Sequence, residues 1–139
     1  MENLTSEYFN DNVIDKLPGL LGLKVTKAGR GSMELELEVE RKHLAINGYL
    51  HAGTIVTLAD TAAGNGCMAN LPDRATGFTT IELKCNLIST VRSGKIICSS
   101  KCIHAGGTTQ VWESKVMEAA THKLIAAFTC TQLVLYPRK

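Results

Sequence analysis

Residues Met33 to Val39, reading MELELEV, alternate without interruption, with Met33, Leu35, Leu37 and Val39 on one side and Glu34, Glu36 and Glu38 on the other. A period of two marks a strand with one face on a core and the other in water. Upstream, Leu23 to Lys27 leads into a glycine-flanked turn at Gly29 to Gly31, which predicts a hairpin with that strand. TTIELKCNLI alternates again through Ile81, Leu83, Cys85 and Leu87 and ends near the turn at Ser93-Gly94. KIICSSKCIH, TQVWESKVME and LIAAFTCTQLVLY follow, divided by Ala105-Gly106-Gly107 and by a short break at Thr121 to Lys123. They read as three more antiparallel strands. The last is nearly continuous in apolarity, which predicts burial on both faces.

Between the second and third strands the pattern changes. From Ala52 to Leu71 the chain is rich in Ala, Gly and Thr, free of proline until Pro72, and carries one side chain that is charged in neutral water, Asp60. Such a stretch is too long for a strand and predicts a helix, and a helix without a charged face is a buried one. A shorter helix is expected at Leu4 to Leu17, as a lid or packing element. The expected fold class is therefore α+β: a long central helix wrapped by an antiparallel sheet of about six strands, forming a single domain over residues 1–139.

Composition narrows the function classes. The 15 basic and 13 acidic residues leave a net charge of +2 without a basic stripe, so nucleic acid is a poor partner. The start, MENLTSEYFNDNVIDKL, is acidic and lacks the cationic and apolar segments of a secretory leader, which points to the cytoplasm. Asp60, Asn65, Asn70 and several glycines make the helical stretch too polar to cross a membrane. The five cysteines are odd in number and lie in apolar segments, as buried thiols do. Cys98, Cys102 and His104 share strand parity, but four residues of strand span roughly 13 Å, too far for one zinc ion to collect both thiolates. No metal site is expected.

A lone carboxylate in an apolar helix demands explanation, because burying it is costly unless it is paired, neutralised or used. Gly53, Val56 and Gly64 lie on the same side of the helix as Asp60 and leave room for a ligand to approach. His51, Ala52 and Gly53 stand at the predicted helix start, where free N–H groups and the positive end of the dipole favour an oxyanion. Donors for an oxyanion and a carboxylate to handle water are two parts of an acyl-transfer centre. The eight steps from Ala52 to Asp60 separate them by roughly 12 Å in one helix. A second copy of the helix, antiparallel to the first, would bring the parts together by two-fold symmetry.

NGYLHAGTIVTLADTA resembles the core motif of the hotdog-fold acyl-CoA thioesterases, specifically the phenylacetate-pathway (PaaI-like) group, with His51, Gly53, Leu58, Asp60 and Ala62 in register. The resemblance implies hydrolysis of a coenzyme A thioester at a dimer interface, by a carboxylate of one subunit and a backbone oxyanion hole of the other; Asp60 either activates water or attacks the carbonyl directly, and the shorter Asp favours the first. It also implies a homodimer, paired again into a homotetramer, and no cofactor, since coenzyme A belongs to the substrate. Thr80 stands where the family commonly has a Ser or Thr facing the reacting centre. Two positions depart from the motif. Ala52 replaces the first glycine after the histidine, and is expected to keep its N–H in an ordinary αR or β backbone. The family's upstream asparagine would fall at Ala45, whereas Asn47 lies four residues before His51 and either supplies that group from a shifted loop or caps a turn. His51 either orders the loop or shuttles a proton.

The phosphates of coenzyme A call for cations at the pocket mouth, for which Arg92, Lys95, Arg74, Arg138 and Lys139 are candidates. Two other readings stand beside the hydrolase: a hotdog dehydratase or hydratase using His51 as base, and a catalytically silent acyl-CoA sensor.

Overall fold

The computed structural model describes residues 4–139. Two short helices, α1 (Ser6–Asn12) and α2 (Leu17–Leu21), precede the hairpin β1 (Lys24–Gly29) and β2 (Ser32–Val39). A 3-10 turn at Arg41–His43 leads through a loop into α3 (Ala52–Ala69). Then come β3 (Gly77–Leu87), β4 (Gly94–Ala105), β5 (Thr109–Glu118) and β6 (Leu124–Leu135). The six strands form one sheet in the order β1-β2-β4-β5-β6-β3, every neighbouring pair antiparallel. This is the hotdog arrangement, with α3 lying on one face of the sheet.

Two expectations are corrected. The N-terminal helix is two helices, because the chain turns at Val13 to Lys16 and α2 restarts with Pro18 in its first turn, a position where the missing N–H has no helical partner. Strand β6 is not buried on both faces. Phe128, Cys130, Gln132 and Val134 turn inward while Thr129, Leu133 and Leu135 are exposed, so it alternates like the others, with apolar residues on both sides.

The core lies between α3 and the sheet, with Leu58, Ala59, Ala62, Ala63 and Cys67 of the helix packed on Leu35, Leu37, Ile96, Trp112 and Phe128. Small helix residues let the backbone approach the strands. A Cβ on Gly66 would meet the Trp112 ring at 2.5 Å, so the fully buried indole occupies the space that glycine leaves. Trp112 cannot give way, because its Nε1 donates to Gln110 Oε1 at 2.8 Å, and Gln110 Nε2 donates to the Asn70 carbonyl at 2.8 Å at the helix end.

The two edges of the sheet differ. On β1 the Asn10 carboxamide acts as a short strand, donating to the Val25 carbonyl at 3.0 Å and accepting from the Val25 N–H at 2.8 Å, so α1 closes that edge. β3, bonded to β6 along one side, carries the exposed apolar residues Ile81, Leu83 and Leu87. Beside it one stripe of α3 is incompletely covered: Gly53, Thr57, Asp60, Thr61, Asn65 and Met68 are half-buried or exposed.

Gly66→Ala tests the closeness of helix and sheet. Overpacking typically costs about 1–3 kcal/mol, which exceeds the ~1 kcal/mol a helix gains when alanine replaces glycine. The variant should unfold at a lower urea concentration with an unchanged m-value. An unchanged or higher midpoint would show that the indole yields.

Candidate active site

The site is built around α3. Its N-cap is His51, whose extended backbone (φ −67°, ψ 135°) turns the ring over the first turn so that Nδ1 accepts from the Gly53 N–H at 2.7 Å. The His51 N–H donates to the His43 carbonyl at 2.9 Å, and the Thr54 hydroxyl donates to the same oxygen at 3.0 Å. His43 is in turn fully buried: Nδ1 accepts from the Glu40 N–H at 2.8 Å, and Nε2 lies 2.6 Å from the Leu21 carbonyl. One ring nitrogen accepts and the other donates, which fixes a neutral imidazole. His43 thus anchors the loop that delivers the helix start. Sequence reasoning missed it, although Glu40 and His43 form a capping box that was open to inspection.

Two turns along α3, Asp60 is half-buried, and the Thr80 hydroxyl lies 3.3 Å from its Oδ1. Thr80 reaches it because β3 bulges between Thr80 and Glu82, leaving Ile81 out of register. Burial raises the Asp60 carboxyl above the ordinary aspartate range, and the Thr80 hydrogen bond partly opposes that rise. Behind the helix, the Ser114 hydroxyl contacts the Ala59 carbonyl at 3.1 Å and so fixes the backbone immediately before Asp60.

The donors at the helix start are not equivalent. Gly53 was expected to offer its N–H to an oxyanion, but His51 Nδ1 already takes that proton. The Ala52 N–H has no hydrogen-bond partner among the described residues, and Ala52 sits in ordinary helical backbone without positive φ. His51 is a cap: with Nδ1 accepting, its Nε2 carries the proton and no lone pair is left for a base. Asn47 caps a turn. Its Oδ1 accepts from the Tyr49 N–H at 3.1 Å beside Gly48 at φ 82°.

Gly64 does not open a ligand space; a Cβ there would meet Phe78 Cζ at 3.0 Å, so the molecule's own β3 fills the gap. Lys95 stands on the sheet face away from α3 and lies 3.5 Å from Glu36. Arg92 is exposed close to the helix start, its guanidinium 4.2 Å over the Tyr49 ring, while the Val91 carbonyl accepts from the Leu50 N–H at 3.2 Å. Arg74, Arg138 and Lys139 are exposed. Cys98 and Cys102 keep a common face, but His104 leaves it, because β4 bulges between Cys102 and His104. Among the described residues no three His, Cys, Asp or Glu side chains come together, and no helix is long and apolar enough to cross a membrane.

A long helix on one face of a six-stranded antiparallel sheet, with a half-buried carboxylate on its open stripe, defines a hotdog protein with a candidate hydrolytic centre. Residues 47–124 match the thioesterase superfamily. Over 119 residues the chain is 32% identical to a 1,4-dihydroxy-2-naphthoyl-CoA hydrolase of Listeria monocytogenes, covering 86% of this chain and 95% of the relative. A thioesterase structure from Haemophilus influenzae superposes with a TM-score of 0.90 at 24% identity, covering 97% of this chain and 93% of the other. A Streptococcus mutans protein solved with acetyl CoA bound superposes with a TM-score of 0.76 at 24% identity, covering 85% and 92%. The chain belongs to the thioesterase superfamily and is a hydrolase of thioesters.

Asp60 makes stability depend on pH in a defined direction. Its carboxyl is raised from 3.8 on folding, so the folded state favours the protonated form. The associated stability is present below about 3.8 and is lost as pH rises through the folded value. Asp60→Asn, neutral at every pH, should therefore be more stable than the parent at pH 7, with the gain vanishing below pH 3.8 in urea titrations. A pH-independent difference would contradict the raised carboxyl.

Proposed function

We propose that the protein hydrolyses an acyl- or aroyl-coenzyme A thioester at a site shared by two copies of the chain. The carrying observation is the separation of two unused groups: the free Ala52 N–H at the start of α3 and the half-buried Asp60 carboxylate on its open stripe. At a rise of about 1.5 Å per residue they stand roughly 12 Å apart, too far to act on one carbonyl. An antiparallel second helix beside the open stripe brings Asp60 of each chain to Ala52 of the other. The apolar residues of β3 support this placement, since Leu83 and Leu87 are exposed on the same side of the sheet as α3.

In this mechanism the thioester carbonyl accepts from the Ala52 N–H at the positive end of the helix dipole, which stabilises the oxyanion as the tetrahedral intermediate forms. Asp60 of the neighbouring copy takes a proton from water as it attacks the carbonyl carbon; the C–S bond then breaks, and the leaving thiolate takes up the proton held on Asp60. Thr80 holds the carboxylate. A short aspartate leaves room for one water between carboxylate and carbonyl. A coenzyme A substrate is supported by the hydrolase named for the Listeria relative.

Thiol release from a panel of aromatic and aliphatic acyl-CoAs tests the reading, and binding without turnover would refute it. Asp60→Asn should lose about 100-fold or more in kcat with the fold intact; retention of more than about a tenth of kcat would remove Asp60 from the chemistry. Arg92→Ala should raise KM for acyl-CoA and leave a short pantetheine thioester unaffected, as expected of a phosphate contact.

Mixed dimers test the sharing. Ala52→Pro removes one N–H at a first helical position that accepts proline, and the extended His51 backbone before it is compatible. It should be nearly inactive alone, as should Asp60→Ala. Purified heterodimers of the two hold one site with both defects and one with neither, and should recover roughly half of the parent activity. Heterodimers as inactive as either homodimer would place both groups in one chain's site.

A further inference from the structure

Gln132 lies fully buried on β6, between Thr80 and Cys130. Its Oε1 accepts from the Thr80 hydroxyl at 2.7 Å, while its Nε2 faces Cys130 Sγ at 3.4 Å. The Thr80 hydroxyl has one proton and two acceptors before it, Gln132 Oε1 at 2.7 Å and Asp60 Oδ1 at 3.3 Å. It cannot serve both. With the proton on the Gln132 side, Thr80 turns a lone pair toward Asp60, which suits a neutral carboxyl that donates and opposes a carboxylate that must accept.

We propose that Gln132 is a positioning residue whose carboxamide turns by half a revolution with the charge of Asp60, so that Thr80 donates to Asp60 only when the carboxylate is ionised. In both states the carboxyl, the hydroxyl and one amide proton find acceptors along the relay. With Asp60 neutral, its O–H donates to Thr80 Oγ1 and the Thr80 O–H donates to Gln132 Oε1. With Asp60 ionised, Gln132 Nε2 donates to Thr80 Oγ1 and the Thr80 O–H donates to Asp60 Oδ1. The carboxamide oxygen and nitrogen have nearly the same shape, so the turn changes no packing. Cys130 tolerates both orientations. Burial pushes its thiol up to about 12, so the S–H remains and can accept weakly from the amide or donate weakly to its oxygen.

The other groups around Asp60 leave the relay in control. The titratable side chains turned toward α3 from the sheet are thiols, Cys130 on β6, Cys85 on β3, and Cys98 and Cys102 on β4, with Cys67 on the helix itself. Burial raises all five. Glu82 stands on the opposite face of β3, bonded by the Thr131 hydroxyl at 3.0 Å; the Glu and Lys side chains of β2 and β4, with Glu113 and Lys115 of β5, share that outer face, and Glu118 sits at the far end of β5 beside Lys123. Asp60 therefore answers to burial and to Thr80.

The inference deepens the proposed function, because it makes the protonation state of the base select its own hydrogen bond, but its first test requires no turnover. In the substrate-free protein, the Asp60 carboxyl is titrated by carbon-13 NMR and assigned by its absence in Asp60→Asn. The Gln132 side-chain amide protons are followed in the same samples. Their nuclear Overhauser contacts should lie with Cys130 below the Asp60 midpoint and move to Thr80 above it. Contacts that stay in place while Asp60 titrates overturn the proposal, whatever the enzyme hydrolyses. The second test is kinetic. Gln132→Met keeps the length of the side chain and should lower kcat about three- to tenfold at unchanged KM, through loss of one hydrogen bond. Combined with Thr80→Val, it should cost nothing beyond Thr80→Val alone. Multiplying losses would mean that Gln132 acts by packing, not through Thr80.

Discussion

Helix α3 has no charged face and must be covered, yet one sheet can lie against only one side of a cylinder about 10 Å across. That mismatch organises the molecule. On the covered side, alanines and Gly66 let the helix settle onto Trp112 and Phe128. On the open side stand Thr57, Asp60 and Thr61, polar enough to meet water and small enough to accept a neighbour. The far edge of the sheet is closed by Asn10 of α1, whereas β3, next to the open stripe, presents Ile81, Leu83 and Leu87. Polar chemistry and apolar surface therefore occur together on one flank.

The alternating strands were legible because each has a solvent side that the sequence marks with charge, as in Met33 to Val39. The long helix was legible through its length and its freedom from proline; it ends at Ala69, close before Pro72. Strand β6 was misread because exposed Leu133 and Leu135 look like buried residues to any count of apolar positions. Asp60 stood out as one charge in a neutral run, and Thr80 through the resemblance alone. The fates of Asn47, His51 and Gly53 were hidden in hydrogen bonds spanning two residues, which turn on local dihedral angles. Gln132 was invisible for the opposite reason, since its partner Thr80 lies 52 residues away, and of His43 only the local capping box with Glu40 could be read, because Leu21 lies 22 residues away.

The buried polar groups share a common task. Gln110 and Gln132 sit opposite each other across β5 and β6, the first holding the carbonyl at the helix end and the second bonded to Thr80. Ser100 accepts from Ser114, which also contacts the Ala59 carbonyl. Among the described residues no buried side-chain nitrogen or oxygen is left without a partner. A satisfied hydrogen bond adds only about 1 kcal/mol to stability, but a broken one in the interior costs about 1–3 kcal/mol. Such bonds select one arrangement over its near neighbours more strongly than they stabilise it.

That selectivity explains how a carboxylate can be held half in water. Turning α3 by one residue would rotate Asp60 by about 100°, toward the sheet or away from β3. The turn would also strip Ser114 of the Ala59 carbonyl and drive a side chain into Trp112 where Gly66 now lies, about 120° round the helix from Asp60. The setting of the Asp60 face is therefore enforced from the other faces of the helix. The indole, pinned through Gln110 to the helix end, and the serine pair below Ala59 define the angle. Thr80 and Gln132 then have only to meet a carboxylate already in place.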